Sequence, residues 1–120
     1  MMPDEQPRGA QRVPWLYHGS EALCPVTMAR TPRERARGLL GRDGIDGALL
    51  LRPASWVHTF GMRFTLDVVH LDHDLRVLRM LTMPPQRMGR PVLRARAVLE
   101  ARVGTLAALR PGDRLRLHPG

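Results

Sequence analysis

The chain of 120 residues has no lysine and no asparagine, one isoleucine (Ile45) and one cysteine (Cys24). A lone cysteine excludes an internal disulfide framework and suits a reducing compartment. Lysine, asparagine and isoleucine share AT-rich codons, so their scarcity beside abundant Ala, Arg, Gly and Pro reflects a GC-rich coding preference. Aromatic residues make up only 4% of the chain, too few for the stacking platforms on which single-stranded nucleic acid is held. No stretch approaches the ~20 apolar residues of a membrane-spanning helix. The opening "MMPDEQPRGAQRVP" carries early acids and no apolar run, which excludes a secretory signal and makes the cytoplasm the expected location. Residues 1–12 read as a disordered tail, and residues 13–120 as one globular domain.

What is present is a hydrophobic fraction of 43% and a formal net charge of +8, carried entirely by nineteen arginines. That apolar content supports a packed core. A chain of this length buries roughly two-thirds of its unfolded surface, so it folds without disulfides or a structural metal. The charge attracts polyanions at low salt, but the arginines are scattered. Nucleic-acid binding is therefore expected to be weak and non-specific.

Short strand patterns dominate. "WLY" at Trp15–Tyr17, "LCPVTMA" at Leu23–Ala29, "ALLL" at Ala48–Leu51, "RVLRML" at Arg76–Leu81, "RAVLEARV" at Arg96–Val103 and "RLRLH" at Arg114–His118 read as strands. Between Ser55 and Leu71 the pattern predicts two more, near Ser55–Phe60 and Leu66–Leu71, broken at Gly61. "TPRERARGLLG" is the clearest helix signal: Thr31 caps, Pro32 occupies the first turn and Glu34 completes a capping box. It predicts a helix over Pro32–Leu40, with Gly41 as a stop, and a second short helix follows at Thr105–Leu109. The expected fold is mainly β: a compact barrel or sandwich with one or two short helices, the first packed across an open side.

"WVHTFGMRFTLDVVHLDHD" at Trp56–Asp74 concentrates three of the five histidines. Its end, "DHDL", is turn chemistry, since aspartates bond nearby backbone amides. His70 and His73 then fall on a strand and a hairpin tip, and no second paired motif exists, so no metal site is expected. Nothing calls for a cofactor: there is no phosphate-binding glycine loop and no G-x-S-x-G elbow. The titratable candidates are His58, Asp67 and Glu100. Glu100 interrupts the apolar "AVLEA", where a carboxylate needs a cation, a donor or a cavity. An Arg–Glu pair is one solution, with Arg35, Arg37 or Arg63 as partner, and a raised-pKa acid is the other.

Four stretches in order carry a family resemblance: "ARTPRERARGLLGR" at Ala29–Arg42, "FTLDVVHLDHDLRV" at Phe64–Val77, "AVLEARVG" at Ala97–Gly104 and "LRPGDRL" at Leu109–Leu115. Together they resemble the bacterial and archaeal family called domain of unknown function 192, over roughly residues 23–118. Arg35, Gly38-Leu39, Asp67, Leu99-Glu100 and Gly104 match its pattern, while Val57-His58-Thr59, Gly61-Met62 and Thr65 depart from it. The resemblance implies a compact, mainly β domain and no established activity. The expected pocket gathers His58, Thr59, Arg63, Asp67 and Glu100. Thr31, Glu34, Arg35, Gly38, Gly104, Gly112 and Asp113 are structural. Three functions stay open: a module binding a small molecule or protein partner in a sheet-lined groove, a small hydrolase-like enzyme using Asp67, Glu100 and His58, and an accessory protein of a surface or secretion assembly.

Overall fold

A computed structural model describes residues 13–118; the tail expected over residues 1–12 lies outside them. Seven strands, β1 (Trp15–His18), β2 (Glu21–Ala29), β3 (Ala48–Leu51), β4 (Leu66–Leu71), β5 (Val77–Met83), β6 (Ala97–Arg102) and β7 (Leu115–His118), surround one short helix, α1 (Pro32–Arg37). The sheet order is β5-β4-β6-β3-β2-β1-β7. The fold is mainly β and sandwich-like. The sheet does not close into a barrel, although its outer strands meet at an isolated bridge between Arg76 and Arg114.

Strand β2 joins the two halves. Its first half pairs antiparallel with β1 up to Pro25, and its second half, Val26–Ala29, pairs parallel with β3. Pro25, which has no N–H to give a ladder, sits where the strand changes partner. Strands β3, β6, β4 and β5 then form an antiparallel run with β6 at its centre.

Because strand side chains alternate, this sheet buries two separate apolar clusters. Val69, Leu71, Leu99, Ala101 and Leu50 pack on one face with Leu16, Val26, Leu106, Leu109 and Leu115. Leu66, Val68, Val98, Leu49 and Leu51 pack on the other with Leu39, Ile45, Val57 and Met62. Glu100 opposes Val68 on one side and Leu49 on the other, so it belongs to the second face.

Helix α1 starts as the sequence dictates. The Thr31 side chain accepts from the Glu34 amide at 3.0 Å, and the Glu34 carboxylate accepts from the Thr31 amide at 3.1 Å. It ends at Arg37 rather than Leu40. Gly38 takes φ 46° and ψ −125°, a conformation strained for any residue with a Cβ, which turns Leu39 into the second core with 0% of its surface exposed.

Two further expectations are corrected. Ser55–Phe60 is not a strand: its single bridge is His58 to Met88, and it lies in irregular backbone along the 84–92 segment through Thr59 N to Arg87 O, Gly89 N to Val57 O and Val92 N to Ser55 O. Pro84, Pro85 and Pro91 remove the donors that a continuous ladder needs. Thr105–Leu109 is not a helix but a series of tight turns (Thr105 N to Arg102 O, Ala107 N to Gly104 O, Leu109 N to Leu106 O). Gly104 at φ 98° precedes it and Pro111 follows, leaving no room for a helical nucleus. The "DHDL" hairpin forms as expected, with Asp72 Oδ1 accepting from Asp74 N at 2.8 Å and Arg76 N at 2.9 Å.

Candidate functional site

The second face of the sheet is roofed by α1, the turn after it and the irregular 52–62 segment. Between roof and sheet lies a pocket of about 410 Å³. Leu40, Leu51, Ala54, Val57 and Met62 form apolar walls, Trp56 and His58 stand on the loop side, and Arg35 and Arg37 on the helix side. Glu100 is its acid.

Glu100 is 1% exposed, and its Oε1 has no hydrogen-bond partner. Burial among Val68, Leu49 and Val98 pushes its carboxyl up to about 7. A Cβ on Gly38 would lie 3.9 Å from Oε1, so the helix end packs close to the buried oxygen without bonding it. The anticipated Arg–Glu pair does not form: no ion pair reaches Glu100 among the described residues. Arg35 instead donates to the Arg30 carbonyl, and Arg63 pairs with Asp43 at 3.1 Å on the surface.

His58 lies between two exposed aromatic rings, Trp56 at 6.1 Å and Phe60 at 5.5 Å between centroids. Its Nδ1 accepts from the Phe60 amide at 3.2 Å, which leaves Nε2 as the nitrogen able to act outward. Gly61 at φ 80° permits the bend behind this trio, and a Cβ there would strike Leu40 at 2.7 Å.

The other expected pocket members are elsewhere. Asp67 opposes Ala101, one residue out of phase with the Val68–Glu100 pair, so it projects from the opposite face. There it accepts from Thr82 Oγ1 at 2.8 Å and Gly104 N at 2.8 Å, bracing the turn after β6. Thr59 is fully buried and ties the loops, its hydroxyl donating to Pro84 O at 2.6 Å and accepting from Arg87 N at 2.8 Å. Only Glu100 and His58 of the expected set line one cavity. Gly112, at φ 96°, and Asp113, accepting from Arg110 N at 2.8 Å, shape the turn into β7.

Sequence reasoning passed over Trp56, Ala36 and Met62 as pocket residues. The available signal is the alternation Trp56, His58, Phe60, which has the period of a strand. It also treated His70 as an ordinary strand end. His70 is 2% exposed with neither ring nitrogen bonded, and burial first, then the Arg79 charge, lower its pKa. Asp72, His73 and Asp74 group their ligand atoms within 4.8 Å on the exposed hairpin, but Asp72 Oδ1 is already occupied by two amides.

The family model described as DUF192, Uncharacterized ACR, matches residues 16–117. The chain belongs to the DUF192 family. A UPF0127 protein from Pyrococcus horikoshii is 34% identical over 98 residues, covering 76% of this chain and 85% of that one. A solved Novosphingobium aromaticivorans protein of unknown function shares the fold at TM-score 0.74 and 24% identity, covering 93% of this chain and 89% of that chain. A Sinorhizobium meliloti structure, described as a candidate transcription regulator, also has TM-score 0.74, at 21% identity over 89% of this chain and 92% of that one. These likenesses establish the DUF192 fold and leave chemistry to the site. No helix among the described residues is long and apolar enough to cross a membrane.

Proposed function

We propose that this chain is a binding module that takes a small, partly apolar molecule in the Glu100 pocket. One observation carries the reading: a carboxyl group 1% exposed, with an unpartnered oxygen, lines a cavity whose walls are otherwise mostly apolar. A buried polar atom without a partner costs about 1–3 kcal/mol, and a ligand hydrogen-bonded to it recovers that cost. Ligand sites commonly occupy ~300–1,000 Å³, with apolar walls and few polar groups, and 410 Å³ falls within that range. A small molecule suits this concave site better than the flat face of a protein partner. A two-carboxylate hydrolase has no support here, because Asp67 is on the far side of the sheet and already bonded twice. A cytoplasmic setting fits the lone, buried thiol of Cys24.

The test is thermal-shift screening of small polar–apolar compounds against the wild type and Ala36→Trp. Ala36 is exposed on α1 and lines the pocket, so a large ring there fills the mouth without disturbing the core. Hits that stabilise the wild type and fail on the variant support the proposal. Hits that stabilise both equally, or a diverse library with none, contradict it.

A further inference from the structure

We infer that the ligand of this pocket is a small zwitterion, its ammonium group on Glu100 and its anionic end toward Arg37, with an apolar body between. This deepens the pocket reading above and rests on it. The cavity contains one acid and, in the last turn of α1, two cations. Opposite charges in one cavity ordinarily neutralise each other, yet no ion pair joins Glu100 to Arg35 or Arg37. Arg35 is committed to the Arg30 carbonyl, whereas Arg37 makes no side-chain hydrogen bond or ion pair among the described residues. The buried acid and the exposed base therefore present separate, unmet demands, one for a donor cation and one for an anion.

Single-charge ligands fit less well. A simple amine would satisfy Glu100 but meet uncompensated repulsion from Arg35, Arg37 and a chain of net charge +8. A simple carboxylate would satisfy Arg37 and leave the Glu100 oxygen buried without a partner. A molecule with both ends brings its own counter-charge. Leu40, Leu51, Val57 and Met62 are apolar contacts for the carbon chain between them, and Trp56 offers a ring face near the mouth.

An ammonium ligand needs Glu100 ionised. The charged or titratable groups around that carboxyl are Arg35 and Arg37 from α1 and His58 from the loop, with Arg102 two residues along β6 and His70 on β4 farther along the same sheet face. The strand neighbours Leu49 and Val68 are apolar. With the carboxyl at about 7, its ionised fraction climbs roughly tenfold between pH 6 and pH 8, and affinity for the zwitterion rises by the same factor while the ligand amine stays protonated.

Isothermal titration calorimetry at pH 8 with 6-aminohexanoate, hexylamine and hexanoate separates the contributions, since the last two each lack one charged end. The expected result is binding of 6-aminohexanoate at least tenfold tighter than either control, and weakening about tenfold at pH 6. Glu100→Gln brings it down to the level of hexanoate, and Arg37→Gln, an exposed change that leaves folding intact, to the level of hexylamine. Equal or tighter binding of either control overturns the zwitterion while leaving the pocket reading in place. Binding of none of the three also overturns it, and the Ala36→Trp screen then decides the pocket reading separately. An affinity that does not change with pH, or that survives Glu100→Gln, overturns it as well.

Discussion

Replacing Glu100 by glutamine converts a titrating group at the centre of the sheet into a neutral one of the same shape. In the folded chain the wild-type carboxyl has a pKa of about 7 against an ordinary value of 4.5. The folded value is raised, so the fold favours the neutral acid. That favourable contribution is full below pH 4.5 and is lost as pH rises through 7. A gap of roughly 2.5 pH units at ~1.4 kcal/mol per unit amounts to about 3 kcal/mol, most of it lost between pH 5 and pH 9. The glutamine keeps a constant stability from this site, but its amide places unbonded N–H groups in the cavity, at a cost of about 1–2 kcal/mol. The two curves must therefore cross. At pH 5 Glu100→Gln is about 1 kcal/mol less stable than wild type, and at pH 9 it is about 1–2 kcal/mol more stable. Urea denaturation followed by circular dichroism at both pH values reads this directly, because a domain of this size loses ~1–3 kcal/mol per molar urea. The remaining titrating groups are common to both proteins and cancel in the difference. A wild-type-minus-variant difference that is the same at pH 5 and pH 9 refutes the reasoning, since it means Glu100 does not change charge in that range.

Thr31→Ala removes the hydroxyl that accepts from the Glu34 amide at 3.0 Å and lowers stability by about 1 kcal/mol, seen as a fall in thermal midpoint that Thr31→Ser largely restores. Asp67→Asn keeps one acceptor but weakens its bonds to Thr82 and Gly104, costing about 1–2 kcal/mol. Its ligand-induced thermal shift stays at the wild-type value, because Asp67 is on the face away from the pocket. Zinc titration by calorimetry gives no stoichiometric binding at neutral pH, and a 1:1 isotherm abolished by His73→Ala would show that the Asp72–His73–Asp74 hairpin is more than a turn. Duplex DNA binds weakly and without sequence preference, with affinity falling steeply as salt rises; tight binding of one sequence at physiological salt contradicts a diffuse arginine surface.

The parts of the fold that could be read from the sequence are those governed by local chemistry. The capping box at Thr31–Glu34, the Asp72 hairpin and strands β3 and β4 are each specified by residues within one turn or one pleat of one another, and they occur where the pattern places them. The misread elements depend on distant partners. Ser55–Phe60 alternates like a strand, but whether it pairs depends on what lies beside it, and that neighbour carries Pro84, Pro85 and Pro91. Thr105–Leu109 has helical composition, but Gly104 and Pro111 confine it to turns whose leucines are pulled into the first core. Glu100 stood out because a lone acid in an apolar strand demands an explanation, and the structure answers with a cavity rather than a cation. Asp67 is matched to it by the family pattern and by its place on the mixed, odd-numbered face of its strand. Cross-strand register decides the face, and one residue of phase puts Asp67 on the other side.

The central claim is that the pocket floored by Glu100 is where this DUF192 chain meets its ligand. The most direct measurement is an amide chemical-shift map of isotope-labelled protein titrated with the best-stabilising compound from the thermal-shift screen. The account predicts saturable shifts grouped at Gly38, Trp56, His58 and Glu100, all of which line the one cavity, and their disappearance in Ala36→Trp. Shifts grouped instead at Arg114–Leu117 and His73, which line the shallower groove beside β7, would contradict it.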